Sequence, residues 1–251
     1  MIGPFPYIGG KNRLARLIIA QIPPHKTYVE PFAGGAQVFF HKTPSEVEVL
    51  NDLNGEIVNF FRVCQSHSPE LLRYIQYMIA ARSWFDLLQK TDPGIMTDVQ
   101  RAARFFYLQK VDYGGLIAHR NFVLQIVQST HWKPDRLPQL IENTARRLQN
   151  AQIESLPYEQ VVRKCDRPNT FFYFDPPYFG RKLYQFNFQT EDFQRLADLL
   201  LGLSGKFILS LNDVPEVRQM FREFKLQPIE LAYSAQKNSG NRYRELLIKN
   251  Y

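Results

Sequence analysis

Five residues constrain this chain more than any others. Thr170–Phe174 reads TFFYF, an unbroken aromatic run after the threonine. A strand with one face in water alternates apolar and polar residues, so a run without alternation belongs in the interior of a sheet covered on both sides. It stops at Asp175, and Pro176, Pro177 and Tyr178 follow at once. Proline has no N–H and a fixed φ. The residue before a proline is held extended. The spacing predicts a buried strand that ends in a stiff turn, with carbonyl groups not committed to a helix.

The same grammar recurs along the chain. KNRLARLIIAQI places Leu14, Leu17, Ile18 and Ile22 on one helical face. TYVEP and EVEVLN are short β-rich runs with the helical GAQVFFHK between them, which predicts β-α-β with parallel strands. From about Asn54 to Asn150 the pattern is mostly helical. Ser68 and Pro69 read as a helix start, and Leu137, Leu140, Ile141, Thr144 and Leu148 mark a further helix face. Within this block DYGGLIAHRNF, at 112–122, reads as a loop. Strand and helix then alternate again: AQIESL, YEQVVRKC, TFFYF, EDFQRLADLLLGL and KFILSL. Asp213 and Glu216 have the spacing of a capping box. LQPIELAY and YRELLIKN, joined by the polar SAQKNSGNR, read as a hairpin on the far edge. The expected fold is a doubly wound α/β sheet with a C-terminal β-hairpin edge and a helical insertion after its second strand.

Charge gives that insertion a character. The net charge is +7. Residues 99–150 carry eight basic side chains (Arg101, Arg104, Lys110, Arg120, Lys133, Arg136, Arg146 and Arg147) against three acids, so five of the seven excess charges lie there. A polyanion partner and a solvated helical surface are equal readings of that excess. Cys64 and Cys165 stand about 100 positions apart, without a disulfide framework or a zinc-ligand cluster. No signal peptide and no membrane-length apolar run is evident, so a cytoplasmic location without membrane or metal is expected.

In an open α/β sheet, ligands bind beyond the carboxyl ends of the strands. Three such ends carry acids: Glu30, Asp52 and Asp175. Gly34 and Gly35 in PFAGGA allow close approach to the backbone at a helix start, although an ordinary βα turn would read the same. Asp52 sits where such folds hold a ribose hydroxyl, or where a helix cap would stand. Lys11, in YIGGK, opens the first helix, where a bound anion would make sense of a cation. Asp175 and the Pro176 carbonyl can accept both N–H bonds of one amine, and Tyr178 can stack on a flat heterocycle. Holding both N–H bonds favours a pyramidal nitrogen whose lone pair can attack. A proline-rich turn with a capping aspartate is the plain alternative.

These residues together carry a resemblance. DPPY, with VEPFAGGA and PYIGGK upstream and GKFILSLND and RELLIKN downstream, resembles the Dam-type (D12 class) DNA adenine-N6 methyltransferases, in the α-arranged motif order. The resemblance covers essentially the whole chain. It implies a Rossmann-like methyltransferase sheet and S-adenosyl-L-methionine as methyl donor. It implies a catalytic domain of residues 1–58 and 151–251, with 59–150 as a basic target-recognition insert. Tyr7, Lys11, Glu30, Phe32, Gly34, Asp52 and Asp175 would be cofactor contacts. Asp175, Pro176, Pro177 and Tyr178 would hold an adenine flipped from double-stranded DNA. Ala36 stands where many relatives have a third glycine, which is expected to be tolerated. The insert lacks the Asn-Val-Pro-Phe-Gly-like ending of GATC-reading relatives, so that site is not carried over. Lys110, His119, Arg120 and Asn121 are the candidate DNA contacts, with Arg120 and Asn121 suited to base edges.

Other chemistries compete less well. Cytosine-C5 transfer needs a cysteine nucleophile, normally after proline, and Cys64 and Cys165 follow Val63 and Lys164. Cytosine-N4 enzymes commonly begin the tetrapeptide with Ser; rRNA-adenine and protein-glutamine enzymes begin it with Asn. RNA adenine and a catalytically silent DNA-binding module are the alternatives kept. A cognate restriction endonuclease is a candidate partner.

Overall fold

The computed structural model describes residues 3–6, 14–112, 122, 132–181, 186–231 and 243–251. In chain order, α1 (Ala15–Ile19) leads to β1 (Thr27–Glu30), α2 (Gln37–His41) and β2 (Val47–Asn51). Five helices follow: α3 (Gly55–Ser66), α4 (Ser68–Ile75), α5 (Arg82–Lys90), α6 (Asp98–Val111) and α7 (Leu137–Leu148). Then come β3 (Ala151–Glu154), α8 (Tyr158–Cys165), β4 (Thr170–Phe174), α9 (Thr190–Leu201), β5 (Lys206–Asn212), α10 (Pro215–Met220), β6 (Lys225–Leu231) and β7 (Tyr243–Lys249).

The strands form one sheet in the order β3-β2-β1-β4-β5-β7-β6. β3 to β5 are parallel, and β7 enters antiparallel between β5 and β6. This is the expected doubly wound sheet with its hairpin edge. The chain reverses its winding between β1 and β4, which puts their carboxyl ends side by side at the crevice where such sheets bind ligands.

Strand alternation sorts the core into two layers. Tyr28, Phe171, Tyr173, Ile208 and Leu247 face a layer built with Leu14, Ile18, Phe39 and Phe40 and with α3, α4, α6 and α7. Val29, Phe172, Phe174, Phe207, Leu209 and Ile248 face α8, α9 and α10. All five residues of β4 are buried, which is why TFFYF shows no period of two. Phe60 lies at the centre of the first layer, stacked on Phe106 at 5.3 Å and edge-on to Phe5 at 5.2 Å.

Local signals set the helix starts, not always as the sequence suggests. Thr97 and Gln100 form the capping box of α6, and the Glu56 N–H donates to Asn54 Oδ1 at the start of α3. Ser68, expected as a cap, is instead the first residue of α4, and His67 precedes it without a side-chain cap bond. Asp213 does not cap α10. Pro215 takes the first helical position, so the cap position shifts to Val214. The Asp213 carboxylate is taken by Arg218, at 2.5 and 2.8 Å.

Much of the basic excess of residues 99–150 is spent inside the fold. Arg101 bonds Glu56 at 2.5 Å, and Arg104 donates to the Leu88 carbonyl. Arg147 forks onto Glu48 (2.5 and 2.9 Å), donates to the Phe39 carbonyl, and lies 3.5 Å over the Phe39 ring. Lys42 completes that buried cluster, 2.6 Å from Glu48. It ties α7 to β2 and α2.

Candidate active site

Because β2, β1 and β4 are neighbours, the acids at their ends share one rim. Glu30 is 1% exposed. Its Oε1 accepts from the Tyr28 hydroxyl (2.6 Å) and from the Phe39 N–H (2.8 Å). Glu30 therefore staples the end of β1 to α2. Burial pushes its carboxyl up to about 8, beyond what those two hydrogen bonds restore, and the Asp175 charge adds to the rise.

The turn between them is tight. Gly34 has φ 50° and Ala36 φ 47°, both left-handed. Ala36 adopts that conformation despite its Cβ, at a cost of about 1–2 kcal/mol, and Phe40 N–H already bonds its carbonyl at 2.9 Å. The Gln37 side chain accepts from the Gly3 N–H (3.0 Å) and donates to the Phe5 carbonyl (3.3 Å), holding residues 3–6 beside the turn. Asp52 braces it from β2. Its Oδ2 accepts from the Gly34 N–H and its Oδ1 from the Asn54 N–H, both at 2.8 Å. Asp52 does not cap α3, since Asn54 holds that position; its carboxylate instead ties the glycine turn to the residue that does the capping. Burial raises Asp52 to about 6 against those two bonds. Asn51 clamps the neighbouring turns, donating to the Pro31 and Leu156 carbonyls and accepting from the Leu156 N–H. Phe32 leans on Tyr158 (5.0 Å) and meets Phe188 edge-on (5.6 Å).

The stretch after β4 is fixed from the other side, by β5 and β7. Asp175 Oδ1 accepts from Ser210 Oγ at 3.1 Å, and Ser210 lies 3.0 Å from the Tyr173 hydroxyl. Pro176 is buried. The Tyr178 hydroxyl donates to both oxygens of Glu245, at 2.6 and 2.8 Å. Asn212 grips Phe179 at both backbone groups, at 3.0 and 3.2 Å. Gly180 then turns with φ 71°.

The rim thus brings together Glu30, Phe32, Gly34, Asp52 and Asp175–Tyr178. Tyr7, Lys11, His119, Arg120 and Asn121 lie outside the described residues. Lys110, at the end of α6, is partly buried and sits 5.6 Å from the Phe106 ring centroid, and desolvation lowers its ammonium to about 8. Cys64 is fully buried with its thiol pushed up by burial, unlike a nucleophile. Sequence reasoning assigned no role to Ser210, Asn212 and Glu245. Their segments, FILSLND and RELLIKN, carried the only signal.

A profile of the family described as D12 class N6 adenine-specific DNA methyltransferase matches residues 7–235. The chain belongs to that family. This D12 methyltransferase is 28% identical to the type II methyltransferase M1.LlaDCHI of Lactococcus lactis subsp. cremoris, over 98% of this chain and 94% of that one. It is 23% identical to the DNA adenine methylase of Escherichia coli K12, over 94% and 90%. It is 24% identical to the DNA N-6-adenine-methyltransferase of Escherichia phage P1, over 90% of this chain but 32% of that longer one. The enzyme therefore methylates DNA adenine, with S-adenosylmethionine as donor. Among the described residues, no cluster of three or more His, Cys, Asp or Glu side chains could hold a metal ion.

Glu30 gives the D12 enzyme a measurable pH signature. Its folded value, about 8, lies above its ordinary 4.5. The folded state then holds a proton that the unfolded state has lost, so stability falls as pH rises from about 4.5 to 8. The slope from this group is at most about 1.4 kcal/mol per pH unit. Glu30→Gln keeps an acceptor for Tyr28 and Phe39. It is expected to flatten that fall and to raise stability at pH 9 relative to wild type, read by urea denaturation across pH. An unchanged profile would contradict a protonated Glu30.

Proposed function

We propose that this enzyme methylates N6 of adenine at a specific site in double-stranded DNA, after the base has left the helix, with Asp175–Tyr178 as the jaw that receives it. One observation carries the reading. The stretch from Asp175 to Phe179 is held by three separate side chains, Ser210, Glu245 and Asn212, at 2.6–3.2 Å. A plain proline turn needs no such bracing, whereas a site that must meet an amine within a fraction of an ångström does.

The donor supplies an electrophilic methyl group on a sulfonium. The rim fits it on several counts. Gly34 opens the backbone at φ 50°, and the first turn of α2 has no side-chain cap. Each Asp52 oxygen accepts one backbone N–H in the turn and keeps a lone pair for a ribose hydroxyl. Glu30, Phe32 and Gly34 frame the methionine end, and Tyr7 and Lys11 join them by resemblance. On the other side, Asp175 and the Pro176 carbonyl accept the two N–H bonds of the adenine amine, and Tyr178 stacks on its ring. Held this way, the amine nitrogen would present its lone pair to the methyl group that a bound donor would supply. One N–H proton is released, and Asp175 is placed to take it late. Extruding the base costs a few kcal/mol, which stacking offsets.

Residues 59–150 act as the target-recognition part, with Lys110, His119, Arg120 and Asn121 toward DNA. A phosphate would restore the charge that burial weakens at Lys110. The type II name of the Lactococcus relative supports a restriction–modification role with a cognate endonuclease. No described helix is long and apolar enough to cross a membrane, and a cytoplasmic location suits a DNA substrate. Incubation with methyl-labelled donor and unmethylated duplex DNA is expected to place label in N6-methyladenine at one recurrent sequence. Label confined to RNA, or scattered without sequence preference, would overturn the reading.

A further inference from the structure

Tyr178 is the one member of the jaw whose working part is a ring, and its far end is gripped from another strand. The phenol donates to both oxygens of Glu245, at 2.6 and 2.8 Å. Glu245 is 4% exposed. It lies on β7 directly opposite Asn212 of β5, the residue that grips Phe179. One rung of the sheet therefore holds Tyr178 of the jaw and Phe179 directly after it.

A carboxylate is a demanding choice for that position. Burying a charge is expensive, and an amide would satisfy a tyrosine hydroxyl at much lower desolvation cost. A carboxylate offers two things an amide does not. It accepts on either oxygen, so the phenol cannot tilt toward one side without keeping a partner. It also forms a charge-assisted bond that is shorter and about twice as strong. The terminal torsion of a tyrosine is broad, so an anchor at the hydroxyl narrows the range of ring orientations.

We propose that Glu245 is a positioning residue for methyl transfer, acting through the Tyr178 hydroxyl to fix the ring on which the adenine stacks and to make that ring electron-rich. The second effect matters in the transition state. As the amine takes the methyl group, positive charge passes into the adenine ring. A cationic ring is drawn to an electron-rich aromatic face, an attraction that grows when water is excluded. The proposal rests on the reading of Tyr178 as the stacking residue.

The test compares Glu245→Gln, Glu245→Ala, Tyr178→Phe, Tyr178→Ala and the double variant Glu245→Gln/Tyr178→Phe. It uses single-turnover methyl transfer, donor affinity, and 2-aminopurine fluorescence at the target adenine of a duplex. Glu245→Ala is expected to slow transfer by about 10- to 100-fold, the range for one hydrogen bond to a charged group. Donor affinity should stay within about threefold, since Glu245 braces the jaw rather than the glycine turn, and the fluorescence of the extruded base should change. Glu245→Gln should recover part of the rate, by restoring the acceptor without the charge. In the Tyr178→Phe background Glu245→Gln should have no further effect. Equal losses from Glu245→Gln in both backgrounds, or Glu245 variants with the wild-type rate, would overturn the proposal. So would a loss of rate and donor affinity in step. If Tyr178→Ala itself keeps the wild-type rate, the stacking reading fails. If it abolishes transfer while the Glu245 variants keep the wild-type rate, the role of Glu245 alone fails. Tyr178→Phe leaves Glu245 in place, so it tests the hydroxyl even if Glu245→Ala does not fold.

Discussion

Asp175→Ala is expected to lower single-turnover methyl transfer by at least about 10^2- to 10^3-fold, the loss seen when one preorganised partner of a reacting group is removed. Donor affinity should change far less, because the donor contacts proposed at Asp52 and the glycine turn lie at the ends of β1 and β2. Stability should fall by only about 1 kcal/mol. Ser210 loses its bond to Asp175 yet stays near the Tyr173 hydroxyl and the Phe174 carbonyl. Asp175→Asn separates orientation from proton acceptance. Its amide oxygen still accepts one N–H bond, but its charge is gone. A rate between wild type and Asp175→Ala assigns the difference to the charge. An Asp175→Ala enzyme within threefold of wild type would remove Asp175 from the chemistry.

The largest expected effect on stability is at the opposite end of the strands. Arg147→Ala strips the guanidinium from a carboxylate that is 5% exposed. Removing one partner of a buried pair costs about 3–5 kcal/mol, because the other charge is left behind. Lys42 stays on Oε1, so the lower end of that range is the expectation. Arg147→Lys should recover only part, having no fork to span both Glu48 oxygens. The pH dependence runs opposite to that of Glu30. Burial alone would raise the Glu48 carboxyl, but Arg147 and Lys42 override it and hold it below its ordinary 4.5. The pair's contribution is therefore present above about 4.5 and is lost as pH falls through the folded value. Urea denaturation at pH 7 and pH 3.5 should show the gap between wild type and Arg147→Ala closing in acid. A gap that persists at pH 3.5 would mean the residue acts by packing alone.

Two buried glutamates thus shift in opposite directions, because burial prevails at Glu30, with the Asp175 charge adding to it, whereas two cations outweigh burial at Glu48. No window of sequence distinguishes Glu30 from Glu48. What sequence did make legible was local. TFFYF is β4 and YEQVVRKC is α8, residue for residue, because a fully buried strand and an amphipathic helix write their environment into their period. The jaw and the glycine turn were legible as motifs. Their supports were not. Ser210 and Glu245 are 35 and 67 positions from the residues they hold; the parallel pairing of β5 with β4 brings in the first, and the antiparallel entry of β7 between β5 and β6 brings in the second. The helix starts at Ser68 and Asp213 misled for a related reason. A capping pattern gives which side chain can cap, but neighbouring residues decide whether it does: Pro215 moved the start of α10, and Arg218 claimed the aspartate.

The position of β7 has a further consequence in time. A ribosome that has just made Tyr178 must add 67 more residues before the carboxylate that holds it exists. The strand must then insert between two others, a non-local pairing of the kind that forms slowly. A nascent chain can assemble the glycine turn and Asp52 long before its jaw is set. Methylating power should therefore arrive as one late event in synthesis, well after the capacity to bind the donor.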